Sequence, residues 1–190
     1  MKRAVKLIPV ILSLFCVISC SGELSVQPKG NDAVVTFSAQ PGKAFLDIFG
    51  SLTGFEASGE DETFFDKNKI EESLEENDFH NISVECRKNG YVFISFSSKL
   101  SDIPFISDDG KVQFSKTSFQ EFYKLIPENF QSALDMLMSP TFTNEVMTDE
   151  EYLDLLGSVY GKAFEAELSG AQIKLQNKNV KLVEILNLQE

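Results

Sequence analysis

The chain has no tryptophan, one histidine (His80) and three cysteines in 190 residues, and each scarcity closes off a class of function. With no second histidine and with Cys86 reading as core-facing, a His/Cys metal site is not expected. Basic side chains are also short, 17 against 29 acidic ones. That balance argues against a broad cationic face for nucleic acid. No apolar run approaches the ~20 residues of a permanent transmembrane helix. The longest, residues 7–18, is broken by Pro9 and Ser13. The absence of Trp beside 17 Phe and 4 Tyr suggests a dry core more than a sugar-stacking or interfacial surface.

What is there begins with order at the amino terminus. Lys2, Arg3 and Lys6 make a positive start, residues 7–18 an apolar middle, and Val17-Ile18-Ser19 leads into Cys20. The layout is that of a secretory signal. Its end resembles the lipobox of bacterial lipoproteins, in which branched apolar residues and a small residue precede the cysteine. The resemblance implies that Cys20 receives a diacylglycerol, that residues 1–19 are cleaved, and that the new amino terminus is acylated, for instance with palmitate. Two or three chains anchor a protein stably where one does not. Ser21, rather than aspartate, follows the cysteine, which resembles outer-membrane sorting. The expected location is the cell envelope, lipid-anchored at the outer membrane, with the membrane itself as one partner.

The leader takes three of the 17 basic side chains and none of the 29 acidic ones, leaving 14 against 29, a net charge of −15. Cys16 leaves with it and Cys20 is spent on lipid. Only Cys86 remains, so no intramolecular disulfide is available to the mature chain.

Residues 20–31 (CSGELSVQPKGN) are polar and carry Pro28 and Gly30, and are read as the lipidated terminus followed by a flexible tether. Residues 32–190 are read as a single α+β domain with a mixed or antiparallel sheet and helices packed on one face. AVVTFSA predicts a strand stopped by Pro41-Gly42, and Phe45 and Ile48 have helical spacing beyond it. DKNKIEESLEEND offers only Ile70 and Leu74 to bury, which places any helix there on the surface. In NISVECRKNGYVFISFSS, a two-residue Asn89-Gly90 turn would set charges opposite apolar residues. A three-residue loop, Lys88-Asn89-Gly90 with Gly90 left-handed, pairs Cys86 with Val92, Val84 with Ile94 and Ile82 with Phe96, and is the register expected.

Later, Ser118 with Glu121 and Thr148 with Glu151 form capping boxes. The second opens a helix expected to bury Tyr152, Leu155, Leu156, Val159 and Ala163 and to end at Ser169-Gly170. AQIKLQ and NVKLVEIL are expected to pair Leu175 with Val180 and Ile173 with Leu182. This order of elements resembles the LppM-like domain of some bacterial lipoproteins, a likeness of pattern without a shared motif.

No catalytic constellation emerges, and the chain is read as a non-enzyme without cofactors. His80 reads as a surface or capping residue. Cys86, core-facing in the expected register, is an inert thiol. GSLTG at 50–54 has its serine off-centre for a nucleophile elbow. Asp66-Lys67-Asn68 starts like a calcium loop, but Ile70, Glu71 and Asn77 stand where a ligand, the glycine and the bidentate glutamate belong. Gly157 and Gly161 form a G-x-x-x-G suited to close packing of a neighbour. The expected function is a lipid-anchored envelope protein that works by binding an envelope protein partner and not nucleic acid. The alternative is a carrier or sensor of an apolar ligand, held in a Phe/Met-rich helical layer around Phe122, Phe130, Met136 and Met138.

Overall fold

A computed structural model describes residues 21–53, 63–76, 79–100, 103, 111, 146–176 and 178–187. Six strands form one sheet: β1 (Ser21–Lys29), β2 (Asp32–Gln40), β3 (His80–Cys86), β4 (Val92–Lys99), β5 (Gln172–Leu175) and β6 (Lys178–Lys181). Their order is β3-β4-β2-β1-β5-β6. Every neighbouring pair is antiparallel except β1 with β5, so the sheet is mixed. The described helices are α1 (Lys43–Thr53), α2 (Lys67–Glu75), α3 (Asp149–Tyr160), α4 (Lys162–Gly170) and α5 (Leu182–Leu186). The α+β expectation therefore holds, with the sheet of the mixed kind.

Strand alternation sorts the side chains onto two faces. Val26, Val35 and Phe96 form one buried row across β1, β2 and β4, and Leu24, Phe37, Ile94 and Val84 form the next across four strands. The helices bury Phe45, Ile70, Leu74, Tyr152, Leu156, Phe164, Leu168 and Leu182 in the same cluster, which puts them on that one face. Full burial of each large apolar side chain is worth about 1.5–3 kcal/mol. On the opposite face, Ser25, Thr36, Ser95 and Ser83 stand in register across β1, β2, β4 and β3.

The segment read as a tether is a strand. Ser21–Lys29 pairs along its whole length with β2, and Ser21–Leu24 also pairs with β5. Leu24 and Val26 are both buried, alternating with Glu23, Ser25 and Gln27, a period too short to stand out in sequence beside Pro28 and Gly30. Pro28 is tolerated because β1 has lost β5 as a neighbour by that point. Ser21–Lys29 is thus part of the sheet, ahead of the expected start at residue 32.

Elsewhere the local readings fare unevenly. The hairpin has Cys86 opposite Val92 and Val84 opposite Ile94, with Gly90 at φ +79. The expected Ile82–Phe96 pair gives way to a register shift between His80 and Ser83, where Asn81 adopts φ +54 and donates its side-chain amide to Ser97 Oγ at 3.2 Å. The second capping box is complete: Glu151 N–H donates to Thr148 Oγ1 and Thr148 N–H donates to Glu151 Oε2.

Its helix is not continuous, because Gly161 at φ +96 separates α3 from α4. Leu155 and Val159 are 41 % and 58 % exposed and Ala163 faces outward, while Phe164 and Leu168 are buried in their place. The final hairpin is tighter than expected. Gln176 turns at φ +55, Ile173 pairs with Val180, and Leu182 is instead the first residue of α5. The LVEIL segment buries Leu182, Val183, Ile185 and Leu186, a spacing only a helix can serve.

Candidate functional site

Cys20 and its flank Val17, Ile18 and Ser19 lie outside the described residues, but the residue bonded to Cys20 is firmly placed. Ser21 pairs with Gln40 on one side and Gln172 on the other. The same end of the sheet collects the last residue of β3, the first of β4 and the last of β6: Cys86 opposite Val92, Val92 opposite Ala39, and Gln172 opposite Lys181. Two connections border it, the Arg87–Tyr91 loop and the Pro41-Gly42 step into α1.

These connections are locked together. Gln40 donates its side-chain amide to the Asn89 carbonyl at 2.9 Å, and Asn89 returns an amide N–H to Gln40 Oε1 at 3.1 Å. Gly90 lies against Pro41 and Leu46, so close that an added Cβ would meet both at 3.0 Å. Arg87 stacks over the Tyr91 ring at 4.5 Å and pairs with Glu85 at 2.6 Å. Lys43, Lys88 and Lys181 are exposed at this end.

The start of α1 is held from across the chain. Ala44 and Phe45 donate their backbone N–H groups to the two carboxylate oxygens of Glu167, at 2.9 and 3.1 Å. The Phe45 ring stacks on Phe164, centroids 6.0 Å apart, one turn before Glu167. Neither Glu167 nor the Gln40–Asn89 pair was legible beforehand, since sequence reading sees caps at a spacing of three, not over 122 residues.

Among the sequence candidates, His80 opens β3, exposed, and Cys86 closes it half-buried. Six residues of strand separate them by roughly 20 Å. They form no nucleophile–base pair. Burial, with the nearby Asp66 carboxylate second, pushes the Cys86 thiol up to about 11, so it is protonated at neutral pH. Asp66 caps α2, accepting from Asn68 and Lys69 N–H at 3.0 and 3.2 Å, which accounts for the resemblance to the start of a calcium loop. No cluster of His, Cys, Asp or Glu suited to a metal occurs among the described residues. Gly157 admits Glu165 of α4, whose Cβ would lie 3.1 Å from an alanine Cβ there, in keeping with close packing at the G-x-x-x-G. Phe122, Phe130, Met136 and Met138, with the Ser118–Glu121 box, lie outside the described residues. Among the described residues no helix is long and apolar enough to cross a membrane.

No family model, curated protein or solved structure matches the chain.

Proposed function

We propose that this is a lipid-anchored protein of the bacterial cell envelope that acts by binding rather than by catalysis. The observation that carries the reading is the leader itself: a cationic start, a short apolar middle, and Val17-Ile18-Ser19 before Cys20. Thioether attachment of a diacylglycerol at Cys20, cleavage before it and acylation of the freed amine would fix the domain to a membrane. Ser21 in the next position supports sorting to the outer membrane. A binding role is read from a sequence that offers no acid–base pair, nucleophile constellation or metal-ligand spacing. The partner in this reading is an envelope protein, met by a domain held at the membrane surface.

The test is fractionation of cells expressing the full-length wild type and Cys20→Ala. The wild type is expected in the membrane fraction, released only by detergent. Cys20→Ala is expected to lose that behaviour, and a variant still fully membrane-bound would remove the reading.

A further inference from the structure

We propose that the end of the sheet at which β1 begins is a membrane-docking surface that seats the domain directly on anionic phospholipid headgroups. The inference rests on the anchor reading above and adds to it the orientation of the domain and the chemistry of the contact. A twelve-residue tether would let the domain stand off by up to ~40 Å, at ~3.3 Å per extended residue. That slack is absent, because Ser21 is already paired with Gln40 and Gln172. The Cα of Cys20 is one peptide unit, ~3.8 Å, from that of Ser21. A lipid on its sulfur therefore draws this end of the sheet to the headgroups.

The surface presented there suits that neighbour. Exposed Lys43, Lys88 and Lys181 surround the position of Ser21, from the start of α1, the β3–β4 loop and the end of β6. Arg87 adds a fourth cation, its charge shared with Glu85 and its plane stacked on Tyr91, an aromatic suited to the headgroup region. The acidic groups at this end have partners of their own: Glu85 pairs with Arg87 and Glu23 with Lys174, Asp66 and Glu71 near Cys86 pair with Lys69 and Lys67, and Glu167 accepts the Ala44 and Phe45 N–H groups. The mature chain carries −15 overall, so an anionic surface repels it in most orientations; this end offers cations within a Debye length of the lipid. The contact is preformed, since the reciprocal Gln40–Asn89 amides and the seat of Gly90 on Pro41 and Leu46 hold the loop in place.

The experiment uses the full-length chain, processed in a bacterium, purified in detergent and reconstituted into vesicles of phosphatidylcholine, alone or mixed with phosphatidylglycerol. Exposed amines are acylated with a membrane-impermeant reagent and the sites read by peptide mass. Lys43, Lys88 and Lys181 are expected to react several-fold more slowly than Lys29 and Lys99, which lie toward the other end of the sheet, with greater protection when phosphatidylglycerol is present. The combined Lys43→Gln, Lys88→Gln and Lys181→Gln variant, altered only at exposed positions, is expected to lose the phosphatidylglycerol dependence at Tyr91, read by hydroxyl-radical footprinting. Equal labelling at both ends with Cys20 acylated overturns the docking alone, as does a phosphatidylglycerol effect that survives the triple substitution. An unmodified Cys20 in the same digest overturns the anchor reading and the docking together.

Discussion

Glu167 holds the first turn of α1 although 123 residues separate it from Ala44, accepting the Ala44 and Phe45 N–H groups on its two oxygens. A carboxylate at a helix amino terminus satisfies two otherwise orphaned donors and meets the positive end of the helix dipole. Helix caps are worth about 0.5–2 kcal/mol. Glu167→Ala is expected to lower the melting temperature of the full-length chain by several degrees, at about 2–4 °C per kcal/mol for a domain of this size. Glu167→Gln, which keeps an acceptor and loses the charge, should fall between. Equal melting of all three proteins would show that the contact contributes nothing.

Gly161 divides α3 from α4 at φ +96 with no atom near enough to obstruct a Cβ. Alanine there is opposed by backbone conformation alone, since φ +96 with ψ 158 is a region open essentially to glycine, at roughly 1–3 kcal/mol. Gly90 combines φ +79 with crowding against Pro41 and Leu46. Gly90→Ala should therefore lower the midpoint of urea unfolding more than Gly161→Ala does. The reverse order would contradict the tight seat of the hairpin loop.

Thr148 donates its backbone N–H to the Glu151 carboxylate at 2.8 Å and its hydroxyl at 2.9 Å, which holds Glu151 below its ordinary 4.5. A carboxyl lowered in the folded state adds stability above its unfolded pKa and loses it as pH falls through the folded value. Glu151→Gln is thus expected to melt below the wild type at about pH 6 and to converge with it as pH falls through the folded value. A gap of constant size across that range would show that the charge of Glu151 plays no part. Thr148→Ala should cost about 1 kcal/mol at neutral pH.

Cys86 supplies a test of both burial and processing. Its thiol is raised from 9.0 to about 11, so the folded chain holds about a hundredfold less thiolate at neutral pH than a free cysteine. Because the protonated form is favoured in the fold, this contribution is complete below 9.0 and disappears as pH rises toward about 11. Iodoacetamide should label the native protein slowly at neutral pH and increasingly fast toward that value. In denaturant, the mature chain should titrate one thiol, Cys86, whereas an unlipidated Cys20 would give two.

The readings that succeeded rest on short-range chemistry. The Thr148–Glu151 box and the loop placing Cys86 opposite Val92 are each contained within a few residues. Those that failed depend on distant partners. Leu24 and Val26 look like scattered apolar residues in a tether until β2 and β5 flank them, and Leu155 and Val159 look inward until Gly161 turns the chain. The terminal hairpin slipped because Gln176 takes a left-handed conformation that nothing local demands. The proposed anchor at Cys20 is read from residues 1–20 alone. The cations that surround Ser21 come from three separate elements, and only the sheet order assembles them.

The most direct measurement is the mass of the amino-terminal peptide of the chain purified from bacterial membranes. The account predicts a peptide that starts at Cys20, lacks residues 1–19 and carries a diacylglycerol together with an amide-linked acyl chain. A peptide starting elsewhere, or an unmodified Cys20, would contradict it.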